Sequence, residues 1–365
     1  MTWTGIRTIM VLELRQRVRA TRWRVMLGIW LAVLILLCGG LAIAVETASP
    51  ENATNEYLLP LYDVVVCFVL GIGLIVAPTL SATSINGDRA DATLALLQAT
   101  ALRSQEIVVG KLLAAWVAAI AFLGVAVPFL VILTVAGGSH WQALVAHLVI
   151  LVFTLGAVCA IGLGFSSLTA RPSASAVLTY IVVAALTVGT PLATAIASSV
   201  VTGTQTEVTY HVDYDKSTDD KIVCQSEPEI ETHEVTRTDR IWWILTPNPF
   251  VALGDATAHA PLQPASAVFG APDSFLSLTG QGVDLMRNPQ PSRVVYNRCE
   301  DRDDSYDGPS SSSTSSDDHG PVAKHLAFWP ASLVALMALG AGGVITASRR
   351  LRVPAGRLPR GVRLA

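Results

Sequence analysis

From Leu112 to Ala170 the chain reads LLAAWVAAIAFLGVAVPFLVILTVAGGSHWQALVAHLVILVFTLGAVCAIGLGFSSLTA, without one Asp, Glu, Lys or Arg. A helix crosses the hydrocarbon core of a bilayer with about 20 apolar residues, so this run is too long for one helix. Gly137-Gly138-Ser139-His140 interrupts it with turn formers, which predicts a hairpin of two spans. The same pattern recurs on either side. Val25 to Val45 is uncharged between Arg24 and Glu46, and Val64 to Gly87 lies between Asp63 and Asp88. Ala170-Arg171-Pro172-Ser173 turns the chain into a fifth run, Ala174 to Val200, and a sixth, Leu326 to Ser348, is stopped by Arg349-Arg350. Pro78, Pro128, Pro191 and Pro330 fall within or at the ends of spans, where neighbouring helices can satisfy the carbonyls they free.

Composition agrees with six spans. Of 365 residues, 52% are hydrophobic and 15% charged, against roughly 25% charged in soluble domains, and the mean hydropathy is +0.51. A purely soluble enzyme is excluded. Five cysteines are too few for a disulfide-dense secreted scaffold, and their spacing fits no zinc pattern. The fold class predicted is an all-α polytopic membrane protein with six transmembrane helices, and a small β-containing extracytoplasmic domain between spans five and six.

The net charge of −3 conceals a strong asymmetry. With the N-terminus inside, 16 of the 25 basic residues fall on the inner side, which sums to +12 while the outer side sums to −15. The short outer loops 46–63 and 137–140 hold no Lys or Arg. The positive-inside rule therefore places both termini in the cytoplasm of a multi-pass protein of the inner membrane. A signal peptide would also set arginines before an apolar run, but these 21 residues exceed the usual core of about 7–15. The first span is read as retained.

The order along the chain follows. Residues 1–24 form a basic cytoplasmic segment, 25–200 the first five spans, 201–325 the extracytoplasmic domain, 326–348 the sixth span and 349–365 a basic tail. Within the first segment Trp3, Ile6, Met10, Leu14 and Val18 recur at helical spacing, though Arg17 falls on their side. Two readings stand: a helix lying in the inner interface with its arginines near anionic headgroups, or an ordinary positive flank.

Between spans two and three lies the most informative stretch, Ser84 to Lys111. Asp91 is an expected N-cap, Leu94, Leu97 and Ala101 line one face of a short helix, and Ser104 is expected to cap the next. Glu106 stands in that helix's first turn, where the dipole favours an acid. A capped apolar face between charges suits docking into a partner's groove; a plain surface elbow is the simpler reading. Gly87-Asp88-Arg89, Thr93-Leu94, Leu96-Leu97, Ala99-Thr100, Leu102, Glu106-Ile107-Val108 and Gly110-Lys111-Leu112-Leu113 together resemble the motif of type-2 ABC transporter permease subunits. Ala92 and Ala101 depart from it, where Gly and Pro are common. The resemblance implies an exporter permease that pairs with a second copy or a homologous permease. It also implies a coupling helix near 88–104 that seats on a separate ATP-binding subunit. Asp88, Arg89, Asp91, Leu94, Leu97 and Arg103 are then the contact residues. ATP and magnesium would belong to that partner, with no cofactor on this chain: Gln105 stands where a P-loop ending at Gly110-Lys111 needs Gly.

The outer segment carries 20 acids against nine bases. Val208, Tyr210, Val212 and Tyr214 alternate as a half-buried strand does, and Glu231–Ile241 and Arg293–Arg298 are further strand candidates. Cys224 and Cys299, on the oxidising side, are expected to form a disulfide, while Cys38, Cys67 and Cys159 lie in spans. The apolar stretch Trp242 to Leu253, with Trp242, Trp243 and Phe250, is too short to span and is expected to rest on the outer interface, or to re-enter it slightly, as a gate. Gly308 to Gly320 reads as a Ser- and Asp-rich tether.

No catalytic set emerges. His233-Glu234 begins an H-E-x-x-H pattern, but Arg237 takes the second histidine's place. Asp303, Ser305, Asp307 and Gly308 imitate half a calcium loop, with Thr314 where a bidentate Glu belongs. Gly164-Phe165-Ser166-Ser167 is no nucleophile elbow. His147, two turns inside span four, is either a functional ionisable group or a neutral histidine bonded to the next helix. A catalytic residue, a metal site and a nucleic-acid partner are not expected, and the lipid bilayer is. A membrane-anchored receptor or sensor using the acidic outer domain remains the alternative function.

Overall fold

A computed structural model describes residues 2–48, 58–90, 103–136, 141–213, 216–217, 223–259, 275–289, 291–297 and 325–351. Among them, six helical stretches are long and apolar enough to cross a membrane: Thr21–Ile43, Leu61–Arg89, Ser104–Ala136, Trp141–Leu168, Pro172–Val200 and Trp329–Arg350. Helix α1 (Trp3–Arg19) precedes them. The spans are α2 (Thr21–Ala48), α3 (Leu58–Ser81) extended by α4 (Ser84–Ala90), α5 (Ser104–Ala136), α6 (Trp141–Leu168), α7 (Pro172–Ala184) with α8 (Thr190–Val200), and α11 (Trp329–Arg350). A π-turn at Ala185–Gly189 joins α7 to α8. Two shorter helices, α9 (Pro249–Ala258) and α10 (Phe275–Arg287), stand between α8 and α11 in the chain.

The third span departs most from its sequence boundary. Charge counting starts it at Leu112, whereas α5 begins at Ser104 and carries Glu106 and Lys111 inside it. Both are buried, and both find partners within the protein.

Lipid tails are as apolar as leucine, so spans are held together by close packing and hydrogen bonds rather than by apolar burial alone. Helices α3, α5 and α6 form the centre, with Val66, Leu70, Ala115, Leu130, Ile150 and Leu151 shielded completely. Trp30 of α2 stacks on Phe122 with ring centres 4.4 Å apart, and its indole N–H donates to the Phe122 carbonyl at 3.1 Å. Helix α11 lies against α6 so closely that a Cβ on Gly343 would stand 2.5 Å from the Ala160 carbonyl oxygen. Only glycine fits there.

A three-stranded sheet has β1 (Thr202–Tyr210) at its centre, antiparallel to β2 (Glu229–Thr236) and parallel to β3 (Arg293–Asn297). The strand expected over 208–214 is the last part of β1 followed by a lone bridge from Val212 to Cys224. The second candidate ends at Thr236, because residues 238–240 turn into a 3-10 helix.

Candidate functional site

The arginine-bearing end of the bundle gathers α1, α4, the start of α5 and the ends of α6 and α11. Ile9, Ile85, Ile107, Val108, Leu163, Ala347 and Leu351 form one buried cluster there. Gly110 admits α1: a Cβ on it would stand 2.8 Å from that of Ile9. Lys111, 2% exposed, is the hub beside that contact. Its ammonium pairs with Glu13 of α1 and, at 2.6 Å, with Asp88 of α4. A buried cation is tolerable only when opposite charges and hydrogen bonds replace its water, and here two carboxylates do so. One lysine thus fixes three helices.

Two further knots hold the same end. The Ser166 hydroxyl accepts the N–H groups of Ile85 and Asn86 at 3.0 and 3.2 Å. The Asn86 amide donates to Ser175 at 2.8 Å, and Ser175 donates to the Ala82 carbonyl at 2.6 Å. Helix α4 is therefore riveted to α6 and α7 by groups that are fully buried. At the start of α5, the Glu106 carboxylate accepts from the N–H groups of Arg103 at 3.1 Å and Thr2 at 2.6 Å. Ser104 is the first helical residue rather than the cap; Glu106 reaches back as the acid of a capping box does.

Arg17, the residue that spoiled the apolar face of α1, donates to the Leu80 carbonyl at 2.8 Å near the end of α3. Burial lowers its affinity for the proton, an effect that the nearby Glu13 charge opposes. The apolar face of α1 itself is narrower than its helical spacing suggests. Gly5, Ile6 and Ile9 are buried, whereas Trp3 and Val18 are exposed. Arg7, Arg15, Arg19, Arg171, Arg349 and Arg350 remain exposed at this end.

The expected contact residues divide. Asp88 pairs with Lys111 at 2.6 Å and keeps 26% of its side-chain surface exposed. Arg89 is half-buried and Arg103 exposed. Asp91, Leu94 and Leu97 lie outside the described residues.

The opposite end is built on α9, whose first residues fall in the stretch expected to rest on the interface or re-enter it. They pack among the spans. Asn248 caps α9 by accepting from the N–H groups of Phe250 and Val251 at 2.9 and 3.4 Å. Its amide also donates at 2.9 Å to both the Thr187 carbonyl and the Thr190 hydroxyl. Those residues lie 10 to 13 positions before the end of α8, about 15–20 Å down a helix. Phe250 reaches Gly71 midway along α3. The helix dips into the bundle and returns, since its backbone is self-satisfied and its first N–H groups are capped.

Asn248 is thus the residue that sequence reasoning passed over here. Asn followed by Pro at the first helical position is an N-terminal signal, though it says nothing of depth. His147 of α6, fully buried, faces Tyr62 of α3 at 2.8 Å and both Thr257 and the Leu253 carbonyl of α9 at 3.0 and 3.2 Å. It is a bonded histidine.

The three expected gate aromatics do not share a surface. Phe250 packs on the central core, and Trp243 is exposed. Trp242 meets Phe328 edge-on at 6.0 Å beneath the Arg287 guanidinium, 4.9 Å from its ring. Asp255 ties α9 to the last span by accepting the N–H groups of Phe328 and Trp329 at 2.7 and 2.8 Å; burial raises its pKa, against those hydrogen bonds. Asp63 accepts the N–H of Leu276 at 2.8 Å and so anchors α10. Cys224 is disulfide-bonded, whereas Cys38, Cys67 and Cys159 are free thiols; Cys299 lies outside the described residues.

A family model described as "ABC-2 family transporter protein" matches residues 7–219, more than half of the chain. No curated protein and no solved structure matches it.

Proposed function

The chain belongs to the ABC-2 family of transporter proteins, and we propose that it is the permease subunit of an exporter driven by a separate ATP-binding chain. That partner docks on the arginine-bearing end, which is the cytoplasmic one. Residues 88–104 form its seat, with Leu94 and Leu97 as the apolar contact, Asp91 as the cap, and Asp88, Arg89 and Arg103 at the rim. ATP and magnesium are held by the partner. Its closure and reopening bias the spans between two arrangements.

The observation that carries this reading is the Lys111 knot. It joins both ends of the motif-bearing segment, Asp88 and Lys111, to α1, so a push on residues 88–104 reaches three helices at once. A second copy or a homologous permease is expected against span five, whose Val177, Ile181, Val188, Leu192 and Ile196 are exposed on the single chain. The sheet, α9 and α10 belong to the extracytoplasmic domain of 201–325, closed by a Cys224–Cys299 disulfide. The exposed arginines at one end and the oxidised Cys224 in the sheet region support that orientation.

The test is recovery of an ATPase with the tagged permease from native membranes. Leu97→Asp should abolish recovery and ATPase stimulation while the permease stays inserted. Undiminished recovery with Leu97→Asp would reject the docking site.

A further inference from the structure

We propose that Asn248 is a positioning residue for transport, coupling a hinge in span five to the inserted helix α9; this rests on the permease reading. Pro191 sits at the start of α8 and has no N–H to give to the helix behind it. The carbonyls that a hydrogen on residue 191 would reach are those of Thr187 in α-helical register and Leu186 in π-helical register. Both are met by side chains: the Thr190 hydroxyl donates to Leu186 at 2.8 Å, and the Asn248 amide donates to Thr187 at 2.9 Å. The π-turn Ala185–Gly189 falls at this point. At the π-turn of span five, one freed carbonyl is thus met from within the span and the other from outside it, by Asn248.

Asn248 is suited to the task because it uses both halves of its amide. Its nitrogen serves the broken span through Thr187 and Thr190, and its oxygen caps α9 through Phe250 and Val251. It is 1% exposed, so water does not compete. Any bend of span five at the π-turn moves Thr187 and Thr190, and with them the tip of α9. Helix α9 passes the displacement to α11 through Asp255 and to α3 and α6 through His147. The hinge and the inserted helix therefore move as one body.

Asn248→Asp separates the two halves. The carboxylate still caps α9, but an oxygen now faces the Thr187 carbonyl. Thr190→Val weakens the same tie without touching the cap, and carries the test if the first variant does not fold. Spin labels on Val200→Cys and Trp243→Cys, in the chain with Cys38, Cys67 and Cys159 replaced and the Cys224 disulfide kept, report the separation of span five from the 3-10 helix Trp242–Leu245 that precedes α9. The measurement is made on the permease with its ATPase in lipid discs, without nucleotide and with ATP plus vanadate. The parent chain should give one distance in both states; Asn248→Asp should add a second, longer one at an unchanged melting temperature, and Thr190→Val a smaller fraction of it. A single parental distance in every folded variant would overturn the proposal, as would a lowered melting temperature with no new distance. Failure of the parent chain to recover an ATPase would count against the permease reading instead, and the nucleotide-free distances would still judge the tie.

Discussion

Two helices that cross no membrane, α1 and α9, are fastened to the same bundle by opposite chemistry. Helix α1 is held by charge: Glu13 on Lys111, and Arg17 on the Leu80 carbonyl. Helix α9 is held along its inserted part by neutral groups: an amide on Thr187 and Thr190, an imidazole between Tyr62, Thr257 and Leu253. The difference follows from depth. At the arginine-bearing end the carboxylates of Glu13 and Asp88 keep 17% and 26% of their side-chain surface exposed, and partial hydration lowers the cost of burying the lysine between them. Inside the bundle no such relief exists, so dipoles replace ions. Asp255 marks the transition, a buried carboxylate held by two backbone N–H groups.

The sharpest way to break the contrast is Lys111→Met, which leaves Glu13 and Asp88 facing one another without their cation. Removing one side of a buried pair costs about 3 kcal/mol at the low end, fitting because both acids are partly wet. The melting temperature should fall steeply and ATPase recovery with it. Adding Glu13→Gln and Asp88→Asn should restore most of the loss; no recovery in the triple variant would show that packing rather than charge fixes α1.

A comparable loss should stay confined to the sheet when Cys224→Ser removes its disulfide. About 2–4 kcal/mol is expected there, read as faster proteolysis between β1 and β3, with ATPase recovery unchanged. Peptide mapping of the non-reduced protein should find Cys224 joined to Cys299; two free thiols would dismiss that pairing.

His147→Phe tests the neutral end. It keeps the ring and removes the bonds to Tyr62 and α9, for about 1–2 kcal/mol, measured as thermal stability in detergent. A loss as large as that of Lys111→Met would erase the distinction between the two ends. The smallest effect belongs to Arg17→Gln, about 1 kcal/mol for one hydrogen bond at a half-buried site, visible as a small thermal shift and no change in insertion.

The spans were legible because apolar length and charge placement are local properties. The start of α5 at Ser104 is not legible from charge counting, because the partner that lets Lys111 be buried, Glu13, lies 98 positions earlier, and counting charges along a window cannot see it. For α9 the limit is of another kind: Trp242 to Leu253 is apolar and too short to span. Neither fact separates a segment resting on the interface from one inserted between helices. That distinction lay in Asn248 and in the carbonyl left by Pro191, a pairing across 57 residues of chain that no periodicity reports. Leu94 and Leu97, on which the docking surface depends, stand outside the described residues and rest on the motif alone.

The cluster at the arginine-bearing end joins Ile9, near the beginning of the chain, to Ala347 and Leu351, near its end. Chains are made from the N-terminus, and early segments wait for late ones before they can pack. Helix α1 and α4 can be synthesised and inserted long before α11 exists, yet their shared apolar seat stays open until it arrives. The platform on which the ATPase is proposed to dock is therefore finished last.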